Sequence, residues 1–338
     1  MSQAAITWQD LESTKGEHTG WYARRVRTIG GAGVLLAIRL PDQTPALLLE
    51  VSASNVAPVS DYPVAQGFYA YPETMLPGPK GRVRLCLVLT SVQWRDVFAV
   101  LVDDVVSELD RCETDGALMR ALLARLRMWQ VFMRHHGPSE LSWELQTGLV
   151  GELLLLRDSI LGKQPAQTAI ASWLGPSDAP QDFLLPGVAV EVKTSTASHM
   201  DEVHISSLEQ LDTEAVPTPL VLCRVLLWPS DPNGATLPEI TDDVRARVSG
   251  ENPAARSLLD TRLFEAGYLD AQADLYRQRK YSVREKTFYL VSGDFPRLTR
   301  REVRSGVIAC SYDVRLSDCE SYMLSLTEVD DLISRRMQ

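Results

Sequence analysis

Asp182-Phe-Leu-Leu-Pro186-Gly187 followed by Val188-Ala-Val-Glu-Val-Lys193-Thr194 is the stretch on which the reading of this chain turns. In an extended strand, successive side chains point to opposite faces. Val188, Val190 and Val192 therefore share one face, and Ala189, Glu191 and Lys193 share the other. The valine face can enter a core. The opposite face sets a carboxylate beside an ammonium, which a purely structural strand has little reason to do. Pro186-Gly187 supplies a turn, so Asp182 can fold back beside Glu191 in a β-hairpin. Two carboxylates converging next to a lysine suit a hard cation with oxygen ligands, with Mg²⁺ expected. That combination points to metal-assisted hydrolysis of a phosphodiester.

Upstream of the hairpin, the periodicity predicts a helix from an N-cap at Ser139 to Gly162, just past its last periodic residue. Its buried stripe would be Leu145, Leu149, Leu153, Leu156 and Ile160. Glu152 lies three residues after Leu149 and four before Leu156, so it points into that stripe. A carboxylate on an apolar face is costly unless a cation meets it. The alternative for Glu152 is a surface salt bridge reached by a bent side chain. Gly148 and Gly151 flank it, and each weakens a helix by about 1 kcal/mol relative to alanine. Close approach of another backbone is the expected compensation.

At 338 residues the chain has room for two domains, each with its own core. The net charge of −10 argues against a protein that coats nucleic acid non-specifically. Local basic stretches remain: Arg120, Arg125, Arg127 and Arg134 stand without an acid among them. Residues 276–304 carry nine basic side chains against three acidic ones. Each stretch is either a solvated helix face or a surface that tracks phosphates. No apolar run approaches a membrane span, and residues 1–10 have neither the basic nor the apolar region of a signal peptide. The five cysteines are scattered without a Cys-x-x-Cys pair, so a cytoplasmic protein is expected. The histidines (His18, His135, His136, His199 and His204) show no zinc-ligand spacing. Trp129, Trp143 and Trp173 read as core in preference to base-stacking platforms.

Strands are expected at Val34–Leu40, Ala46–Val51 and Arg82–Leu89, separated by the turns Gly30-Gly31-Ala-Gly33 and Leu76-Pro-Gly-Pro-Lys-Gly81. Helices are expected at Trp94–Arg111 and Asp115–Arg134. Beyond the hairpin the pattern predicts a short helix at Ser206–Leu211 and a buried strand at Pro219–Trp228. Helices over 240–278, strands at Lys286–Ser292 and Gly306–Tyr312, and a closing helix at Glu328–Arg336 complete it. The chain is thus expected to be α/β, with a β-rich N-terminal domain over 1–136 and a second domain over 137–338.

A helix with Glu152, then Asp182, then Glu191-Val-Lys193 resembles the PD-(D/E)XK restriction-endonuclease-like core, ordered α-β-β-β-α-β. More closely, the chain resembles a bacterial family of unknown function grouped with that superfamily. The stretches that carry the resemblance are Gly148-Leu-Val-Gly-Glu-Leu153, Trp173-Leu-Gly-Pro176, Gln181-Asp-Phe183, Val190-Glu-Val-Lys-Thr194 and Ile205-Ser-Ser-Leu-Glu-Gln-Leu211. Gly267-Tyr-Leu-Asp270, Tyr276 and Phe295-Pro-Arg297 add to it. One departure is visible: in Pro180-Gln-Asp182 the proline stands one residue further from the aspartate.

The resemblance implies an Mg²⁺-dependent DNA endonuclease, with Mn²⁺ as substitute, in a restriction-modification or phage-defence system. It implies Asp182 and Glu191 as principal metal ligands, the Val192 carbonyl completing the coordination, and Glu152 at a second metal or its water. Lys193 would position the attacking water, and Gln210 would touch backbone or metal-bound water. Cutting both strands would call for a homodimer or another defence-system subunit. A competing reading is a catalytically inactive nuclease-fold subunit that binds DNA or assembles a complex. Another is a structural adaptor whose acidic face binds a partner protein.

Overall fold

A computed structural model describes residues 2–13, 19–75, 78–177, 179–196, 201–229 and 231–336. His18, His199 and the Leu76-Pro77 part of the second expected turn lie outside the described residues. The chain divides into two compact units, Met1–Ser139 and Glu140–Gln338. Among the described residues no helix is long and apolar enough to cross a membrane.

The N-terminal unit opens with α1 (Gln3–Glu12). Five strands follow: β1 (Gly20–Ile29), β2 (Ala32–Leu40), β3 (Thr44–Ser52), β4 (Phe68–Thr74) and β5 (Arg82–Leu89). They form one antiparallel sheet in the order β1-β2-β3-β5-β4, and α2 (Arg95–Leu109) and α3 (Asp115–His135) close the unit. Trp8 of α1 stacks on Phe98 of α2 at 5.4 Å and donates its indole N–H to the Ala46 carbonyl, joining helices to sheet. The strands expected from sequence are β2, β3 and β5. The two that escaped notice, β1 and β4, are the sheet's edges. β1 exposes Tyr22, Arg24, Arg25 and Arg27 and so lacks an apolar alternation. β4 contains Pro72, which cannot donate to a ladder and is tolerated at an edge. Arg125 on α3 pairs with Asp104 on α2, which also accepts from the Trp129 indole. This arginine joins two helices and is not a bare phosphate contact.

The second unit begins with α4 (Trp143–Leu155), capped by the Ser142 hydroxyl accepting from the Leu145 N–H. The cap is therefore Ser142, not Ser139. The helix ends in a single π-helical turn, Leu156–Ile160, before Gly162 turns the chain at φ +88°. Leu149, Leu153, Leu156 and Ile160 are buried as the periodicity required, but Leu145 is 54% exposed. It belongs to the first turn, where Gln146 is the inward residue and donates to the Leu141 carbonyl.

A short α5 (Ala166–Ala171) leads to β6 (Phe183–Leu184), the Pro186-Gly187 turn and β7 (Ala189–Thr196). β8 (Glu202–Ile205) is followed by one 3-10 turn, Leu208–Leu211, and then by β9 (Leu220–Pro229). Next come α6 (Leu237–Glu251), α7 (Pro253–Glu265) and α8 (Ala273–Tyr276), then β10 (Tyr281–Val291), β11 (Tyr312–Arg315) and α9 (Leu326–Ser334). The central sheet runs β10-β9-β7-β6; β7 is parallel to β9, and the other neighbours are antiparallel. β8 and β11 pair separately.

The fold is mixed α/β. Between α4 and β6, where the resemblance implies a full strand, there are α5 and a single bridge from Trp173 to Phe183. The strand expected at Gly306–Tyr312 begins only at Tyr312, because its partner β8 is four residues long; Ile308, with no ladder to enter, is 88% exposed. Val188, Val190 and Val192 pack with Leu149, Val150 and Leu153 of α4 in the main core. Ala189 joins Leu222 and Tyr289 in a second apolar cluster on the opposite face.

Candidate active site

The sheet edge beside β7 is where the site forms. β6 pairs with β7 for only two residues, at Phe183–Val190 and Leu184–Ala189. Beyond that point the Val192 N–H has no strand partner, and the Asp182 carboxylate accepts it through Oδ2 at 2.7 Å. In a strand the N–H and C=O of one residue point the same way, so the Val192 carbonyl also faces this edge. Asp182 is clamped at its other end too: its carbonyl accepts from the N–H groups of Leu174 and Gly175, at 2.7 and 3.1 Å.

Glu152 arrives from α4. Gly151 brings the helix against β7, since a Cβ there would stand 1.9 Å from Thr194 Oγ1. The close approach expected of the two helix glycines thus holds for Gly151, against a side chain; Gly148 faces open space. Among the described residues no salt bridge takes Glu152. Its Oε2 instead accepts the indole N–H of Trp173 at 2.6 Å, and the carboxylate lies across Gly175 from that of Asp182. A Cβ at Gly175 would stand 2.7 Å from Glu152 Oε2 and 2.8 Å from Asp182 Oδ1. Only glycine allows the loop to lie against both.

From the other face come Glu191 and Lys193. Lys193 Nζ lies 2.8 Å from Glu191 Oε1 and donates to Gln210 Oε1 at 3.0 Å. Gln210 Oε1 also accepts from the N–H and hydroxyl of Ser206, at 2.9 and 3.1 Å, so three donors fix it. Gln181, next to Asp182, donates to the carbonyls of Glu209 and Gln210, tying the hairpin to the 3-10 turn. Glu191 is 1% exposed, and among the described residues its buried Oε2 has no hydrogen-bond partner.

Burial raises all three acids. It pushes Glu191 up to about 8, with the Asp182 charge adding to the effect and Lys193 opposing it. It pushes Asp182 up to about 6, against the Val192 N–H and Lys193. Glu152 is raised well above the carboxylate range by burial first and the Asp182 charge second, with the Trp173 hydrogen bond opposing. Acids held partly protonated by enclosure ionise readily when a cation arrives.

Among the described residues no three His, Cys, Asp or Glu side chains stand close enough to form a metal-binding group. Two carboxylates meet at Gly175, and the third is turned to Lys193. The donors still fit a hard divalent cation: all are oxygens, and Glu191 Oε2 is buried without a partner.

The structure therefore brings Glu152, Asp182, Glu191, Lys193 and Gln210 into one neighbourhood. The sequence places Trp173, Gly175 and Ser206 in stretches that carry the resemblance but assigns none of them a part in the site. Trp173 is fully buried, as expected of core, yet its N–H serves the site. Much of the basic stretch over 276–304 is engaged elsewhere. Arg277 pairs with Asp274, Arg279 and Arg284 lie over Trp143 and Trp228, Lys286 pairs with Asp158, and Arg301 pairs with Glu214.

No curated protein and no solved structure matches the chain. One family model, described as "Putative PD-(D/E)XK family member, (DUF4420)", matches residues 5–317. The helix glutamate, hairpin aspartate and Glu-x-Lys pair all fall within that span. The chain belongs to this family, DUF4420, whose description groups it with the PD-(D/E)XK proteins.

Proposed function

We propose that this protein is a metal-dependent DNA endonuclease that hydrolyses phosphodiester bonds in a restriction-modification or phage-defence system. One observation carries the reading. Lys193 Nζ is held between Glu191 Oε1 and Gln210 Oε1, beside a buried Glu191 Oε2 that has no partner. An enclosed carboxylate oxygen without a partner is costly, and a divalent cation at this position would offset that cost.

Asp182, Glu191 and the Val192 carbonyl would hold a divalent cation, Mg²⁺ or in its place Mn²⁺, and Glu152 a second ion or its water. Such an ion supplies Lewis acidity toward a phosphoryl oxygen and lowers the pKa of a bound water. Asp182, clamped at carboxylate and carbonyl, keeps its position as the substrate enters. Lys193, fixed by two acceptors, orients the attacking water and stabilises the charge that grows on the phosphate. Gln210 keeps the ammonium aimed. Cutting both strands calls for two such sites, hence a homodimer or a further subunit, acting on DNA in the cytoplasm.

A second reading, an inactive nuclease-fold subunit that binds DNA, is favoured by the lack of a preassembled three-ligand group among the described residues. Nicking of supercoiled plasmid with Mg²⁺ or Mn²⁺, beside a folded Asp182→Ala protein, tests the choice. Cutting by the wild type that disappears in the variant is the expected result. Cutting retained by the variant places the chemistry elsewhere.

A further inference from the structure

We propose that Trp173 is a positioning residue, whose indole N–H sets Glu152 beside Asp182 so that the two carboxylates share the second divalent cation of the site. The proposal rests on the metal-dependent reading above and adds to it the device that creates the shared position. Glu152 lies on a helix and Asp182 before a hairpin. What joins them is the loop of Trp173, Leu174 and Gly175.

Each residue of that loop acts on the pair. Trp173 donates to Glu152 Oε2, Leu174 and Gly175 donate to the Asp182 carbonyl, and the missing Cβ of Gly175 leaves the gap that both carboxylates border. The indole ring cannot turn away. It is fully buried and stacked on Phe183, the residue after Asp182, at 6.5 Å and 15°.

An indole N–H is a donor only and needs an acceptor when buried. A backbone carbonyl would satisfy it. Here it is spent on a carboxylate held next to a second carboxylate, an arrangement that like charges oppose. The loop therefore enforces a proximity that becomes favourable once a cation lies between the acids. Partners that orient a metal-ligating carboxylate in this way typically control about 10- to 100-fold of metal affinity.

The test is Mn²⁺ binding by calorimetry to the full chain. Two replacements at position 173 are compared: Trp173→Phe, and β-(3-benzothienyl)alanine, which keeps the bicyclic shape and lacks the N–H. Each is made alone and in a Glu152→Gln background. The expected result is Mn²⁺ affinity lowered about 10-fold or more by either replacement, with the benzothienyl protein melting near the wild type. In Glu152→Gln, replacing Trp173 should cause no further loss. Wild-type affinity in the benzothienyl protein overturns the proposal, as does an equal loss in the Glu152→Gln background. Asp182→Asn is measured alongside. If it binds Mn²⁺ as tightly as the wild type, the metal reading itself fails, and the proposal fails with it.

Discussion

Gly151 stands so close to Thr194 that a methyl group on its Cα would fall 1.9 Å from the threonine Oγ1. This contact fixes where α4 crosses β7, and with it the place of Glu152 one residue on. Gly151→Ala should therefore destabilise the protein by about 1–3 kcal/mol through overpacking and lower nicking activity beyond what stability accounts for. Gly148→Ala is the control. Its Cβ would meet nothing within 4 Å, so the substitution should stabilise by about 0.5–1 kcal/mol through helix propensity alone. Urea unfolding of both variants measures the pair. Equal effects would mean that Gly151 does not set the helix crossing.

The contrast between these two glycines marks what was legible in the sequence. Periodicity placed Glu152 on the inward face and alternation placed Glu191 beside Lys193, because both follow from local geometry. The hairpin followed from Pro186-Gly187. Which glycine mattered did not follow, since Gly148 and Gly151 are equivalent in composition and differ only in what packs on them. Trp173 was hidden for the same reason. A buried tryptophan reads as core, and nothing local reveals that its N–H meets a carboxylate 21 residues away. The exposed edge strand β1 carries no apolar alternation to read. β4 alternates buried Phe68 and Ala70 with half-buried Tyr69 and Tyr71 but is interrupted by Pro72, and the run at Gly306–Tyr312 has the composition of a strand but only a four-residue partner.

Glu191 and Asp182 make the metal-free protein sensitive to pH in a definite direction. Both have folded pKa values above their ordinary ones, near 8 against 4.5 and near 6 against 3.8. Their contribution to stability is fully present below the ordinary values and is lost as pH rises through the folded ones. In EDTA the melting temperature, taken relative to Glu191→Gln, should fall between about pH 4.5 and pH 8. Mn²⁺ binds the ionised carboxylates, so its affinity should rise over the same interval and offset the loss. A wild-type curve parallel to that of Glu191→Gln would show that the buried carboxylate does not titrate in this range.

Removing the second acid of the Gly175 gap should be milder than removing the first. The Asp182 carboxylate accepts from the Val192 N–H and would ligate the principal ion, whereas that of Glu152 accepts from the Trp173 indole and would serve the second. Asp182→Asn should abolish nicking. Glu152→Gln, which keeps an acceptor for the indole, should leave measurable activity that recovers as Mn²⁺ is raised. Plasmid nicking across an Mn²⁺ titration distinguishes the two; complete loss at every concentration in Glu152→Gln would make it an equal partner in catalysis.

Lys193 and Gln210 separate an acting group from the group that aims it. Lys193→Met removes the ammonium while keeping the length of the stem, and should lower the nicking rate by about 10²-fold or more, the range for a lost charge-stabilising donor. It also leaves Glu191 without its neighbouring cation, so Glu191 should stay protonated to higher pH and bind Mn²⁺ more weakly. Gln210→Leu keeps the ammonium but removes the oxygen that accepts from Lys193 and Ser206. Its loss should be smaller, about 10-fold, and in a Lys193→Met background it should vanish, because a residue that acts only through Lys193 has nothing left to aim. Single-turnover nicking rates of the two variants and their double close the cycle. Additive losses would show that Gln210 acts on the substrate or the metal by itself.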